Sequence, residues 1–225
     1  MVEKEDKILI IVLTADHCFG KLNEAEEIFN DQSTLSVRLS QPHRYSAGIN
    51  PVIVAGEGTD QSRLVYVGSG SSDLGIFAME VERETLGILP LSFIPPALSW
   101  EPNPVTDKLI YHVFPPEIRH DGIKRTAFLL SNSGGNPIIV KGEDVDLDIP
   151  GEFVVMNTLP GSGSSGGGVI KVVPGLPNQV IGIITAQGLG GGAIKGSYIN
   201  GDFSLITPLA GYINLVAVAK KALGW

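Results

Sequence analysis

Three residues of this chain have the types and local settings needed to attack a carbonyl carbon. Ser165 lies in Gly163-Ser164-Ser165-Gly166-Gly167. Glycines on both sides permit the tight turn that exposes a nucleophilic hydroxyl, and let backbone N–H groups converge where a tetrahedral oxyanion would form. The same segment also reads as a flexible Gly/Ser loop. His17, in Leu13-Thr14-Ala15-Asp16-His17-Cys18, directly follows a strongly apolar run. A general base must be held within hydrogen-bond reach of the hydroxyl, and a strand end is a rigid mount for it. A lone histidine is more often structural, so it is the pairing with the glycine-framed serine that gives His17 chemical interest. Asp73, in Ser72-Asp73-Leu74-Gly75-Ile76-Phe77, heads another apolar run. There it could accept the other imidazole N–H and stabilise the imidazolium formed as the serine attacks. A turn aspartate capping the chain before a strand is the alternative.

Other chemistries fit less well. The remaining histidines, 43, 112 and 120, lack metal-ligand spacing and carry no assigned role. Asp144, Asp146 and Asp148 alternate as on one solvated face of a strand, and miss the glycine and distal glutamate of a calcium loop. No metal or cofactor is implied. The Gly-x-Ser-x-Gly spacing also fits the nucleophile elbow of an esterase, but that fold needs its histidine after the serine and a helix behind it. All four histidines precede Ser165, and 168–173 is β-branched and ends at Pro174. A net charge of −8, from 24 acidic and 16 basic residues, offers no basic face to nucleic acid or anionic lipid. The apolar run Ile8–Leu13 is far short of the ~20 residues of a spanning helix, and the acids Glu3, Glu5 and Asp6 before it do not suit a signal peptide. The sequence assigns no compartment.

The elements that must position these residues read as strands. Short apolar runs recur at 8–13, 34–39, 51–54, 63–67, 74–81, 108–113, 125–130, 137–140, 153–156, 169–173 and 180–185, most of them bounded by Gly, Pro, Asn or Asp. Without helical patterns between them they predict an all-β sandwich or barrel. One helix is expected at the C-terminus, with Pro208 in its first turn, Leu209, Ile213, Val216 and Leu223 on its apolar face, and Lys220 and Lys221 at its negative end. Pro95, Pro96, Pro102 and Pro104 cannot donate ladder hydrogen bonds, so residues 96–105 read as a linker between halves at 1–95 and 106–225. The pentapeptide Gly-Ser-Gly-Ser-Ser occurs at 68–72 and 161–165; it is cheap to match by chance and is read as coincidence. With Cys18 as the single cysteine, no intrachain disulfide can hold this fold.

In combination these motifs resemble the trypsin/chymotrypsin family. Leu13-Thr-Ala-Asp-His-Cys18 is similar to its histidine motif, Ser72-Asp-Leu-Gly-Ile76 to its aspartate motif and Gly163-Ser-Ser-Gly-Gly167 to its nucleophile motif. Val180-Ile-Gly-Ile-Ile-Thr185 resembles the strand lining the substrate cleft, and Phe203–Leu215 the lead into the C-terminal helix. All five occur in family order. The resemblance implies an all-β fold of two six-stranded-type antiparallel barrels, chymotrypsin-like, with a C-terminal α-helix. It implies a serine endopeptidase acting on polypeptide through an acyl-enzyme, with a His17, Asp73, Ser165 triad and an oxyanion hole from the Gly163 and Ser165 amides. Substrate would lie along Thr185, Ala186 and Gln187, with Leu159 at the base of the primary specificity pocket.

The departures from the family carry expectations too. Ser164 stands where trypsin has the aspartate that pairs with a new N-terminus, so that activation switch is absent. Leu159, in place of an acid, favours an apolar or small residue before the scissile bond. Cys18 has no partner and is expected as a small buried residue. The chain ahead of His17 has room for about one strand, so the first barrel is expected to be incomplete or rebuilt, with open strand edges able to pair with a second copy. A misplaced His17 would leave a protease fold that binds without turnover, the main alternative function.

Overall fold

A computed structural model describes residues 2–4, 6–18, 28–29, 37–39, 52–55, 64–83, 94–113, 123–145, 147–161, 163–194 and 197–225. The chain is mostly β. The first sheet holds β1 (Val2–Lys4), β2 (Lys7–Ala15), β7 (Leu74–Glu82), β6 (Leu64–Gly68) and β3 (Ile28–Phe29), in that order. Every neighbouring pair is antiparallel. β4 (Val37–Leu39) and β5 (Val52–Ala55) form a separate pair. The second sheet runs β10 (Ile139–Lys141), β11 (Glu152–Met156), β16 (Phe203–Pro208), β13 (Gln179–Gly188), β12 (Gly168–Val172), β8 (Lys108–Val113) and β9 (Ile123–Ala127), again antiparallel throughout. A small hairpin, β14 (Gly192–Ile194) with β15 (Ser197–Ile199), precedes β16. Beyond β9 the chain turns back: Leu130 N–H donates to Val155 O at 2.9 Å and Asn157 N–H to Phe128 O at 3.0 Å. The segment leaving one edge of the second sheet thus binds β11, near the opposite end of its strand order.

β2 and β7 form in full register from Lys7↔Glu82 to Ala15↔Leu74 because both are long apolar runs with few interruptions. In the second sheet, alternate residues turn inward as the pleat demands: Leu109 and Tyr111, Ala127 and Leu129, Val154 and Met156 share one buried cluster. A second cluster takes Leu9, Val65, Val67, Leu74, Ile76 and Ala78 from the first sheet together with Ile183, Leu209, Leu215 and Ala219 from the chain's second half. The C-terminal helix, Tyr212–Leu223, therefore packs on the first sheet. Its Lys220 and Lys221 lie in the last turn as expected.

Several expectations change. Pro208 ends β16 rather than opening the helix, which begins after Gly211 in a left-handed conformation, and Ile213 is solvent-exposed. The residues around Pro95 are no free linker. Proline cannot donate but still accepts, so Val180 N–H binds Pro95 O at 2.9 Å and Ala97 N–H binds Val180 O at 2.7 Å, docking the segment on β13. Past it, the Trp100 indole and the Asn103 N–H both donate to Asp107 Oδ2, while Lys171 Nζ sits 2.6 Å from Oδ1. Asp144 lies in a short 3-10 turn, Gly142–Val145, and accepts the Lys141 N–H at 2.8 Å, so it is a turn cap and not one face of a strand. Asp146, His43 and His120 lie outside the described residues. No described helix is long and apolar enough to cross a membrane.

Candidate active site

β2 ends at Ala15 and a 3-10 turn, Asp16–Cys18, carries the chain off the sheet. That turn breaks the strand's alternation, placing Asp16 inward, His17 part-way and Cys18 outward. Asp73 sits one residue before β7 and is wholly buried. Because β2 and β7 are in register to Ala15↔Leu74, their ends bring His17 and Asp73 together. Asp73 holds His17 twice: Oδ1 accepts the backbone N–H at 2.9 Å, and Nδ1 lies 2.9 Å from Oδ2 and 3.0 Å from Oδ1. A third bond, Asp16 N–H to Asp73 O at 3.2 Å, docks the turn on the same residue. In a neutral imidazole, an acceptor-only carboxylate at Nδ1 favours the tautomer that carries its proton there.

Ser165 lies on the loop between β11 and β12. Gly163 and Gly166, with φ of 81° and 84°, take up the left-handed turns there that a side chain resists. Gly166 N–H donates to Ile184 O at 2.8 Å, and Ser164 is pinned through Oγ to Pro160 O at 3.0 Å. A Cβ on Gly166 would stand 3.0 Å from Ala15 N, so the serine loop rests directly against the strand end that leads into His17. The Ser165 hydroxyl donates to Thr185 O at 3.1 Å. Among the described residues, neither the Gly163 nor the Ser165 N–H has an intramolecular acceptor.

A cleft of about 210 Å³ opens beside the serine, lined by Pro160, Gly161, Gly163, Ser164, Ser165, Ile184, Thr185, Ala186 and Gln187. Thr185 is the bulged residue of β13, where the register with β16 slips. Such a bulge re-aims the backbone. Thr185 itself is buried, its hydroxyl 2.5 Å from that of Thr207. The β12 ladder reaches only Ile183, so Ala186, Gln187 and Gly188 pair with β16 alone among the described strands. Gln187 Oε1 accepts the Gly161 N–H at 3.1 Å across the cleft mouth. Leu159, expected at the pocket base, is half-buried and is not among the residues lining this cleft.

Cys18 is exposed rather than buried, because the 3-10 turn points it outward. Partial desolvation of its sulfur, then the Asp73 charge, raise its thiol pKa, so it is no ready thiolate. Asp16, Tyr66, Gly68 and Gly75 gather beneath the histidine turn. Sequence reading missed this group, and its only signal was an acid inside the histidine motif. No group of three or more described His, Cys, Asp or Glu side chains is placed to share a metal ion. No protein-family profile matches the chain, and no curated protein matches it either.

Proposed function

We propose that this chain is a serine endopeptidase of the trypsin/chymotrypsin type, built on two antiparallel β-barrels. The observation that carries the reading is the double hold of buried Asp73 on His17, with the glycine-framed Ser165 loop lying against the same strand end. The return of the 128–131 segment onto β11 supports curling of the second sheet into a barrel. In the reaction, Ser165 Oγ attacks the scissile carbonyl carbon as its proton passes to His17 Nε2. Asp73 steadies the imidazolium so formed, and the Gly163 and Ser165 amides take the oxyanion. The tetrahedral intermediate collapses to an acyl-enzyme as His17 gives its proton to the leaving amine. Water then repeats the sequence and releases the acid.

One observation favours a second reading, a protease fold that binds peptide without cutting it: the Ser165 hydroxyl donates to Thr185 O and not to the imidazole. In the catalytic reading that hydroxyl rotates to His17 once substrate fills the cleft, as happens where catalytic bonds tighten only in the complex. The esterase reading loses ground, because the chain after Ser165 enters strand β12 where a nucleophile elbow needs a helix. Digestion of unfolded casein separates the first two readings. The endopeptidase reading expects cleavage by the wild-type chain and a loss of about 10⁶-fold in kcat for Ser165→Ala. Equal cleavage by the two proteins would refute it, and peptide binding with no cleavage by either would establish the second reading.

A further inference from the structure

Two amides one residue apart can serve one oxyanion only if the residue between them is held still. Between the Gly163 and Ser165 amides stands Ser164. It is 8% exposed, whereas Gly163 is exposed and Ser165 half-buried, so it is the member of the segment that turns inward. All three of its polar groups are bonded. The N–H donates to Gly161 O at 3.3 Å, the carbonyl accepts the Gly167 N–H at 2.9 Å, and the hydroxyl donates to Pro160 O at 3.0 Å. Beyond it the loop is tied to β13, with Gly166 N–H donating to Ile184 O at 2.8 Å and Ile184 N–H to Gly167 O at 2.9 Å.

The hydroxyl bond is the one that the backbone does not require. An alanine at a site this buried would spare the chain a polar group that must find a partner. A serine stands there instead, and commits its one side-chain donor to the carbonyl four residues back. The reason lies in its neighbours. Gly161, Gly163 and Gly166 have φ of 93°, 81° and 84°, and glycine gives a loop little stiffness of its own. Rotation about the Gly163 or Ser164 backbone would turn one of the two amides away from the other. The bond from Ser164 Oγ to Pro160 O closes a ring that includes Gly163, and the bond from Gly167 N–H to Ser164 O closes a second that includes Ser165. Ser164 is the corner shared by both.

We propose that Ser164 is a positioning residue for the oxyanion site: its hydroxyl, held on Pro160 O, keeps the Gly163 and Ser165 amides directed to one point. This goes beyond the endopeptidase reading and rests on it. Removing the hydroxyl leaves His17, Asp73 and Ser165 in place. It acts on the transition state, where the carbonyl oxygen gains charge, more than on the bound substrate. Ser164→Ala therefore lowers kcat and leaves KM nearly unchanged. The fall is about tenfold, less than the roughly 10²–10³-fold for losing an oxyanion donor outright, because both amides persist and only their aim loosens. Ser164→Cys, a weaker donor of similar size, falls between Ser164→Ala and the wild type.

The test uses the full chain with p-nitrophenyl acetate as substrate and phenylboronic acid as inhibitor, each rate taken as the excess over Ser165→Ala. Phenylboronic acid imitates the tetrahedral state. Ser165 Oγ gives an electron pair to boron, the O–B bond forms as the hydroxyl proton passes to His17, and a boronate oxygen takes the place of the oxyanion. The expected result for Ser164→Ala is a kcat about tenfold lower, a KM within about twofold of wild type, and an inhibition constant raised by the same factor as kcat falls, with Ser164→Cys intermediate. A merely structural serine would lower the folded fraction, which reduces the rate and leaves the inhibition constant unmoved. An unmoved inhibition constant, or a raised KM at unchanged kcat, would overturn the proposal. Should Ser164→Ala fail to fold, Ser164→Cys carries the test on the same criteria. A folded wild-type chain with no Ser165-dependent hydrolysis would instead bring down the endopeptidase reading, and this inference with it.

Discussion

Asp73 accepts two N–H groups of one residue, and this sets the consequence of changing it. In Asp73→Asn one oxygen still accepts, but the amide nitrogen can only donate, which favours the imidazole tautomer with Nδ1 bare and Nε2 protonated. The expected loss in kcat is about 10⁴-fold, as for the corresponding change in chymotrypsin-type enzymes, with secondary structure retained by circular dichroism. Near wild-type turnover would remove Asp73 from the triad. His17, Asp73 and Ser165 stood out in the sequence because each lies in a local motif that resembles one of the trypsin/chymotrypsin family and the three follow its order; the structure brings His17 and Asp73 into hydrogen-bond contact. The Asp16–Tyr66 pair was not legible. Its members lie 50 positions apart, and nothing in either local sequence points to the other. Counting back from Ser165 to Leu159 assumes a loop path, and the cleft beside the serine is lined by Pro160 and Gly161 and not by Leu159.

At the scale of elements, the site depends on turns that only glycine accommodates well. Gly166, with φ of 84° and the Ala15 amide 3.0 Å from where a Cβ would be, both permits the Ser165 turn and lets it rest on β2. Gly166→Ala is expected to cost about 1–3 kcal/mol of stability and to slow acylation, because it lifts the serine away from the histidine. Thermal unfolding and inactivation rates together check this; a change in the first alone would mean that the loop position is irrelevant to chemistry. The long strands were legible because apolar runs of five or more residues outlast the noise of a single side chain. β3, β14 and β15 were not, since two or three residues hold no period. β16 was read as the approach to a helix, because Pro208 resembles a first-turn proline. Ending a strand instead suits a residue with no N–H to donate.

Across the whole molecule, contacts from the second half stabilise the first sheet. The helix buries Leu215 and Ala219 there, and the Trp225 indole donates to Glu80 Oε2 at 2.9 Å while Lys7 Nζ holds Oε1 at 2.6 Å. In the second half, the segment after Pro95 is tied down by Asp107. Burial alone would raise the Asp107 pKa, but Lys171, the Trp100 indole and the Asn103 N–H more than offset it and hold the carboxyl below its ordinary value of 3.8. A folded pKa below the unfolded one contributes stability at pH above about 4, and that contribution is lost as pH falls through the folded value. Lys171→Met, which strands a buried carboxylate, is expected to cost about 3 kcal/mol at neutral pH. The cost should shrink below about pH 4 as Asp107 takes a proton. Denaturant unfolding at the two pH values checks both statements, and a pH-independent difference would contradict them. The docking of the proline-rich stretch on β13 was not legible, because the pattern shows missing donors and says nothing of carbonyls that still accept. If a triad drawn from both sheets makes Ser165 a nucleophile, mass spectrometry of the intact, folded chain after exposure to a fluorophosphonate will show it. One adduct is expected, on Ser165, formed much more slowly in His17→Ala and absent in Ser165→Ala; an unmodified wild-type chain would refute the triad.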